Sequence, residues 1–346
     1  MKRIGKYTIA LEQTPKIIGY AAVVGKKEAE GPLGALFDRS YKDTTLGESS
    51  WEKAESRLQT EAVELALRKA LLTPAEIDLI FAGDLLNQCI SSTFGLRNLQ
   101  IPFLGQYGAC STMAQTLAMA ALMVEAGAAR TAAAVTSSHF CSAERQFRLP
   151  LEYGGQRPPT AQWTATAAGA AIVAPQKRKS SAESGSAEKT PVIVQVCLGK
   201  ITDLGIQDAN NMGAAMAPAA AQTLLDFFSD TGTAPSDYDA IITGDLGHIG
   251  SDLLLQLTGQ EGVNLQAVHD DCGKMLFDRK LQDVHAGGSG CGCSACVLCS
   301  KLLGEIRTGA WNNLLFVATG ALMSPTSTQQ GESIPSIAHL VHIRGI

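Results

Sequence analysis

The sequence has little charge and few aromatic residues, and it lacks any long uninterrupted apolar run. Charged residues make up 18% and aromatic residues 5% of the 346 positions, whereas hydrophobic residues make up 45%. Low charge combined with high apolar content excludes a disordered chain and predicts a sizeable buried core. No basic stripe accompanies the net charge of −5, so we expect no nucleic-acid partner.

Targeting and anchoring segments are also lacking. Residues 1–23 carry two early basic residues but no unbroken apolar stretch and no small-residue cleavage site, which predicts a first strand instead of a signal peptide. The most apolar segment, residues 112–124, is too short to cross a bilayer. We therefore expect a soluble protein that reaches a membrane only through partner proteins.

The nine cysteines do not suggest a disulfide framework in a chain of this size, so free buried thiols in a reducing compartment are expected. Four of them form the run Cys291-x-Cys293-x-x-Cys296-x-x-Cys299, a spacing that by itself resembles zinc or iron–sulfur ligands. The run also has helical patterning, and on a helix the four thiols would spread over about half the circumference. We therefore expect tight packing there and no metal.

A polar segment rich in Ser, Lys and Glu divides the chain into two similar halves. Its composition predicts a flexible linker over 176–190, between a first half at 1–175 and a second half at 191–346. The halves share an outline, because EIDLIFAGDL at 76–85 and DYDAIITGDL at 237–246 each follow a predicted helix. Alternating helices and continuous apolar strands predict an α/β fold of duplicated βαβ units with buried, largely parallel sheets.

The periodicity of the apolar residues places the main elements along the chain. In the first half it predicts helices over 51–71 and 110–127 and strands over 77–83, 131–136 and 167–174. In the second half it predicts helices over 217–230 and 294–308 and strands over 192–198, 238–243 and 314–319.

Cys110 stands out in the segment QYGACST at 106–112. Gly and Ala allow a tight strand-to-helix turn, which would place Cys110 in the first turn of a long helix. Unpaired N–H groups there carry partial positive charge and lower a thiol pKa, so Cys110 is a candidate nucleophile. The competing interpretation is a small apolar residue at a close-packed turn.

Three segments resemble thiolases and β-ketoacyl synthases, in the order that this superfamily requires. GACSTMAQTLAMAA resembles the nucleophile segment, TATAAGAAIVAP a central strand, and HAGGSGCGCSACVLCSKLLGEI the glycine-rich start of a late helix. The resemblance covers nearly the whole chain. It implies a thiolase fold with αβαβα layers, a cysteine between two lobes, and a homodimer.

The catalytic partners of that cysteine are incomplete in this sequence. The closing strand reads ATG at 318–320, so the second cysteine of thiolases is missing, and TGDLG at 243–247 replaces the Asn or His motif. His248 follows out of register, and His285 aligns only with a one-residue shift. A nucleophile without its acid–base partners is a poor acyl-transfer catalyst, so we interpret Cys110 as a pocket residue.

Longer phrases such as GDLLNQC, ITGDLG and LFVATGALMSP resemble a sporulation family within the thiolase-like superfamily, the stage V sporulation protein AD family. The resemblance implies a non-catalytic protein that binds dipicolinic acid (pyridine-2,6-dicarboxylic acid), alone or with calcium, for uptake into the developing spore. It also implies membrane-bound SpoVA partner proteins and association with the spore inner membrane through them.

A flat dianion needs N–H donors, one or two cationic or hydrogen-bonding side chains, and a flat wall. The helix start after Cys110 would supply N–H groups, and no cofactor is expected. The candidate ligand-binding residues are Cys110, His139, Arg145, Gln146, Trp163 and His285. Two other functions stay open: acyl transfer by Cys110 with His285 or His248, and a purely structural part in a membrane complex.

Overall fold

The computed structural model describes residues 1–146, 157–177 and 188–346. Most of the predicted linker at 176–190, namely residues 178–187, lies outside the described residues. Within them, no helix is both long and apolar enough to cross a membrane.

The described residues form fifteen strands and eleven α-helices. The strands are β1 (Lys2–Ile4), β2 (Thr8–Ala10), β3 (Lys16–Val24), β4 (Arg39–Ser40), β5 (Leu79–Gly83), β6 (Phe103–Gly105), β7 (Ala132–Ser138), β8 (Trp163–Thr164), β9 (Ala167–Ala174), β10 (Pro191–Leu198), β11 (Ala240–Thr243), β12 (His269–Asp271), β13 (Gly288–Ser289), β14 (Asn313–Ala321) and β15 (Ser336–Gly345). The helices are α1 (Lys26–Ala29), α2 (Trp51–Ala70), α3 (Ile90–Leu96), α4 (Thr112–Glu125), α5 (Phe140–Glu144), α6 (Met212–Thr231), α7 (Gly247–Gln260), α8 (Cys272–Leu276), α9 (Cys291–Val297), α10 (Leu303–Thr308) and α11 (Pro325–Gln329).

Two five-stranded sets with the same topology form the centre of the molecule. Their strand orders are β6-β5-β7-β9-β3 and β12-β11-β14-β15-β10, joined where β3 pairs with β10. Each set has parallel pairings on the β6 or β12 side and antiparallel pairings on the other side. The internal repeat is therefore structural, but the expectation of largely parallel sheets was wrong for half of each set.

The helices and the two strand sets form five alternating layers. Helix α2 buries its apolar face on the outer side of the first set, and α6 does so on the second. Helices α4 and α9 lie between the sets within the largest hydrophobic cluster. These central helices are rich in Ala, Cys and Met, because a helix covered on both sides has no polar face to present to water.

The helix through the cysteine run starts at Cys291, earlier than the sequence predicted, and a π-helical turn at Leu298–Leu302 interrupts it. Cys291, Cys293, Cys296 and Cys299 are all fully buried. Among the described residues there is no group of three or more His, Cys, Asp or Glu positioned to hold a metal. Packing against the neighbouring sheets accounts for the small side chains in this run.

Candidate functional site

Cys110 lies between strand β6 and helix α4, where the first half of the chain packs against strand β14 of the second half. The turn is tight because Ala109 adopts a left-handed conformation with φ of 49°, which is costly for a residue other than glycine. The Thr112 hydroxyl donates to the Ala109 carbonyl at 2.6 Å and accepts from the Gly108 N–H at 3.0 Å. The helix therefore begins at Thr112, and Cys110 precedes its first turn instead of lying within it.

A buried carboxylate from the second half, Asp245, stands beside the thiol. It accepts hydrogen bonds from the Gly290 N–H at 2.7 Å, the Thr319 hydroxyl at 2.9 Å and the Ser289 hydroxyl at 3.1 Å. Asp245 and Thr319 are fully buried. Since β11, β13 and β14 each supply one part of this cluster, the carboxylate is held from several sides.

The thiol of Cys110 is held in its neutral form. Burial raises its pKa well above the ordinary value, and the negative charge of Asp245 raises it further. The sequence predicted a lowered pKa from the helix dipole, and that expectation was wrong because desolvation and a like-charged neighbour outweigh a dipole that starts two residues later. Burial also raises the pKa of Asp245.

A narrow cavity of about 50 Å³ opens beside Cys110. Its walls come from the segment after β5, the Cys110 turn, the segment after α5, strands β8 and β13, the start of α6, and the end of β14 with the residues that follow it. The lining residues are Leu85, Asn87, Tyr107, Ala109, Cys110, Gln146, Thr164, Met212, Ser289, Ala321, Met323, Ser324 and Pro325. None of these described lining residues is charged, so a ligand would meet amide, hydroxyl and phenol groups.

The wall that carries Asn87 is built around a buried aspartate. Asp84 accepts from the Leu86 N–H at 2.9 Å and from the Ser92 N–H at 2.8 Å, and so clamps the chain on both sides of Asn87. Between these anchor points Gln88 and Cys89 are both left-handed, with φ of 58° and 51°. Two consecutive left-handed residues persist only where the surroundings enforce them, as happens at binding sites.

The structure brings two of the six sequence-predicted residues together, since Cys110 and Gln146 line the same cavity. His139 lies elsewhere and is buried: its Nδ1 accepts from the Cys141 N–H at 3.2 Å, and its Nε2 lies 2.7 Å from the Thr44 carbonyl oxygen. Arg145 forms an ion pair with Glu52. His139 therefore caps helix α5, and Arg145 is neutralised outside the cavity.

Trp163 and His285 also lie outside the described cavity lining. The Trp163 ring stacks on Phe140 with centroids 3.9 Å apart, and the Lys27 ammonium stands 3.8 Å from its centroid. The His285 Nε2 lies 3.0 Å from a carboxylate oxygen of Asp283. Trp163 thus packs in a cation–π cluster, and the imidazole of His285 is engaged by a carboxylate two residues earlier.

The sequence analysis did not identify Asn87, Tyr107, Ser289 and Asp245 as site residues, although each lies in a segment that it singled out. Asp245 had a readable signal, because the repeated Gly-Asp-Leu places Asp84 and Asp245 at the same point of the two halves. Both aspartates follow a buried strand; Asp84 accepts hydrogen bonds from the segment that comes next, whereas Asp245 accepts them from Ser289, Gly290 and Thr319. An acid at a repeated strand end is a candidate site residue even when its partners lie far along the chain.

Several solved structures share this architecture. Cerulenin-bound OleA of Xanthomonas campestris superposes with a TM-score of 0.60 at 15% identity, over 97% of this chain and 100% of that one. The 3-oxoacyl-[acyl-carrier-protein] synthase III of Aquifex aeolicus gives 0.54 at 14% identity, over 95% and 99%. Identities this low establish the fold and nothing more.

The duplicated halves, the central helices and the cysteine at the start of one of them define a thiolase-fold protein. Residues 5–344 match the family described as Stage V sporulation protein AD (SpoVAD). The stage V sporulation protein AD of Bacillus subtilis (strain 168) is 45% identical over 342 residues, which are 98% of this chain and 97% of that protein. The chain belongs to the stage V sporulation protein AD family.

Proposed function

We propose that this protein binds dipicolinic acid without catalysis, in the cavity beside Cys110, and serves its uptake into the developing spore. The observation that carries the proposal is the replacement of acid–base machinery around Cys110 by Asp245 and Ser289, in a cavity lined by neutral hydrogen-bonding groups. The Asn87 and Gln146 amides offer donors to carboxylate oxygens, and the Tyr107 ring offers a flat surface.

The charge of the cavity favours the calcium chelate of dipicolinate over the free dianion. No cationic side chain stands among the described lining residues, and Asp245 lies behind Cys110. A free dianion would lose its hydration without gaining a counter-charge, which is costly in a buried site. Ca²⁺ and the dipicolinate dianion form a neutral 1:1 complex, whose transfer into a neutral cavity avoids that cost.

Replacing Gln146 by Leu will weaken binding of the calcium chelate about tenfold, since one hydrogen bond to a charged oxygen contributes about 1.5 kcal/mol. Asn87→Leu should weaken binding to a similar extent. Isothermal titration calorimetry with dipicolinate, with and without calcium, measures the change, and benzoate tests selectivity. Gln256→Leu, an exposed amide on α7, is the matched control. Equal affinities for benzoate and dipicolinate would contradict the proposal.

The wild-type protein will keep its unmodified mass when it is incubated with acetyl-CoA. A neutral thiol is a weak nucleophile, and no histidine stands among the described cavity residues to remove its proton. Intact-mass spectrometry measures the outcome, with Cys110→Ser as the control. A mass increase of one acetyl group that is absent in Cys110→Ser would show that Cys110 accepts the acyl group, and would contradict the non-catalytic assignment.

We also propose that two copies pair along β6. This edge strand pairs only with β5 among the described strands, and all three of its residues are exposed. Leu104 and Phe103 expose 46% and 38% of their surface, and Phe94 and Ile90 on α3 add 51% and 37%. An uncharged, apolar edge is normally covered, and antiparallel pairing with a second copy satisfies both edges at once.

Leu104→Lys will convert a dimer into a monomer, because two facing lysines at an antiparallel edge repel and lose apolar contact. Multi-angle light scattering should give twice the 36.3 kDa chain mass for the wild type and the single mass for the variant. Leu204→Lys, at a leucine that is 65% exposed in another segment, is the control. A wild-type monomer at tens of micromolar would rule out this interface.

Membrane-bound SpoVA proteins and the spore inner membrane enter this proposal through family membership. We propose that the chain associates with that membrane peripherally, through those partners. Fractionation of spores with and without the SpoVA membrane proteins tests it: the chain should move from the membrane fraction to the soluble fraction when they are deleted.

A further inference from the structure

A continuous chain of six buried polar side chains runs beneath the cavity. The Ser142 hydroxyl donates to Glu55 at 2.6 Å, and the Ser137 hydroxyl donates to the other oxygen of Glu55 at 3.0 Å. The Gln59 amide lies 3.0 Å from the hydroxyls of both Ser137 and Ser92, and Ser92 donates to Asp84 at 2.6 Å. All members have zero exposed surface: Glu55, Gln59, Asp84, Ser92, Ser137 and Ser142.

The two ends of this polar chain lead to two segments that line the cavity. At one end Ser142 lies on α5, and Gln146, the second residue after this helix, lines the cavity. At the other end Asp84 clamps the segment that carries Asn87 between the N–H groups of Leu86 and Ser92. Helix α2 supplies Glu55 and Gln59, which lie one helical turn apart in the middle of the polar chain. This helix therefore connects the segment that carries Gln146 with the segment that carries Asn87.

Fold stability alone does not explain this arrangement. Burying polar groups costs free energy, and the hydrogen bonds between them at most offset this cost. Apolar residues of the same volume often stabilise a core equally well. A hydrogen-bonded network instead favours one geometry, because displacing a member breaks hydrogen bonds between buried groups. The two left-handed residues beside Asn87 need such a constraint.

We propose that this polar chain sets the spacing between Asn87 and Gln146 across the cavity, which makes Glu55 a positioning residue for the ligand. The inference rests on the proposed function for the identity of that ligand, dipicolinate with calcium. The width of the cavity at Cys110, which the polar chain would set, can be tested whatever the ligand is.

Cys110 provides a probe of that width, because it lines the cavity and is only 5% exposed. Glu55→Ala removes the centre of the polar chain, whereas Glu55→Gln keeps hydrogen-bonding atoms at the same places. We expect the iodoacetamide labelling rate of Cys110 to rise about tenfold in Glu55→Ala and to stay within about twofold of wild type in Glu55→Gln. Peptide mass spectrometry resolves each cysteine.

Cys197 separates local opening from general loosening, since it is fully buried in the second half. Its labelling should not change in Glu55→Ala if only the cavity walls move. Thr258→Ala, which removes a buried hydroxyl outside the polar chain, is the matched control and should leave Cys110 slow. Ser142→Ala cuts the same chain at its end and replaces Glu55→Ala if that variant does not fold.

The affinity for the calcium chelate should follow the labelling, weakening about tenfold in Glu55→Ala with rescue by Glu55→Gln. Three results would each overturn the inference. The labelling rates of Cys110 and Cys197 could rise together in Glu55→Ala, or Glu55→Ala could label and bind like wild type. The third is a Glu55→Gln variant that behaves like Glu55→Ala. If the wild type binds no dipicolinate, the proposed function fails, and the labelling experiment still decides on the positioning role.

Discussion

Gly320→Ala will destabilise the protein by about 3 kcal/mol and dismantle the turn that carries Cys110. A Cβ atom at this position on β14 would lie 2.2 Å from the Gly108 carbonyl oxygen and 3.0 Å from the Ser111 nitrogen. Both atoms belong to the backbone, so no side-chain rotation relieves the overlap. Either β14 must leave its place between β11 and β15, or the Cys110 turn must move outward.

Urea unfolding followed by circular dichroism measures this loss, and Gly304→Ala is the control. A Cβ at Gly304 on α10 meets nothing within 4 Å, so this change should stabilise by about 0.5–1 kcal/mol through helix propensity. If Gly320→Ala folds, calorimetry should show no binding of the dipicolinate chelate. Two alanine variants with the same unfolding midpoint would mean that the close approach of β14 to the Cys110 turn is not a constraint.

The layered fold and ten of its elements could be predicted from periodicity, whereas helix α7 and the long strand β15 were not predicted. The strand at 167–174 has its predicted bounds, and the predicted helix at 51–71 is α2 to within one residue. The largest error in a boundary fell on α6, which begins at Met212 because the Asn211 side chain accepts from the Ala214 N–H. The π-helical turn inside the cysteine helix has no readable signal in the sequence; in the fold it packs against β3 and β9.

The candidate site was predictable only where local chain order fixes it. Cys110 lies just before helix α4, and Gln146 lies two residues after helix α5. Asp245 and Ser289 are 44 residues apart, and Asp245 and Thr319 are 74 apart, so only the folded topology joins them. Burial, which decides the protonation of Cys110, is likewise a property of the assembled layers and not of its segment.

A Glu55→Gln variant will gain stability relative to wild type as the pH rises from 5.5 to 7.5, by roughly 3 kcal/mol in total. Burial, with a further contribution from Asp84, raises the pKa of Glu55 from 4.5 to about 8. The folded state therefore holds a proton that the unfolded state has released, and wild-type stability falls by about 1.4 kcal/mol per pH unit through this window. Glutamine carries no such proton.

Asp84 interacts with Glu55, whereas the buried titratable groups outside the polar chain do not disturb this comparison, since both proteins share them. Glu28 and Asp271, with pKa values raised to about 7 by burial, lower stability on the alkaline side in the same way as Glu55. Buried His269 and His339, with pKa values lowered to about 4, lower it on the acid side, because folding keeps them neutral below pH 6.5. Because these groups have opposite effects, they partly offset each other in the pH dependence of the wild-type unfolding free energy. The informative quantity is therefore the difference in unfolding free energy between Glu55→Gln and wild type.

Urea unfolding of wild type and Glu55→Gln at pH 5.5, 6.5 and 7.5 measures that difference, with Glu64→Gln, an exposed carboxylate on the same helix, as the control. A difference that stays constant across the three pH values would mean that Glu55 ionises like a solvent-exposed acid. Glu55 would then carry a negative charge at neutral pH. A difference that grows by about 1.4 kcal/mol per unit means that Glu55 stays neutral there, and a neutral member is what lets Gln replace it in the positioning experiment.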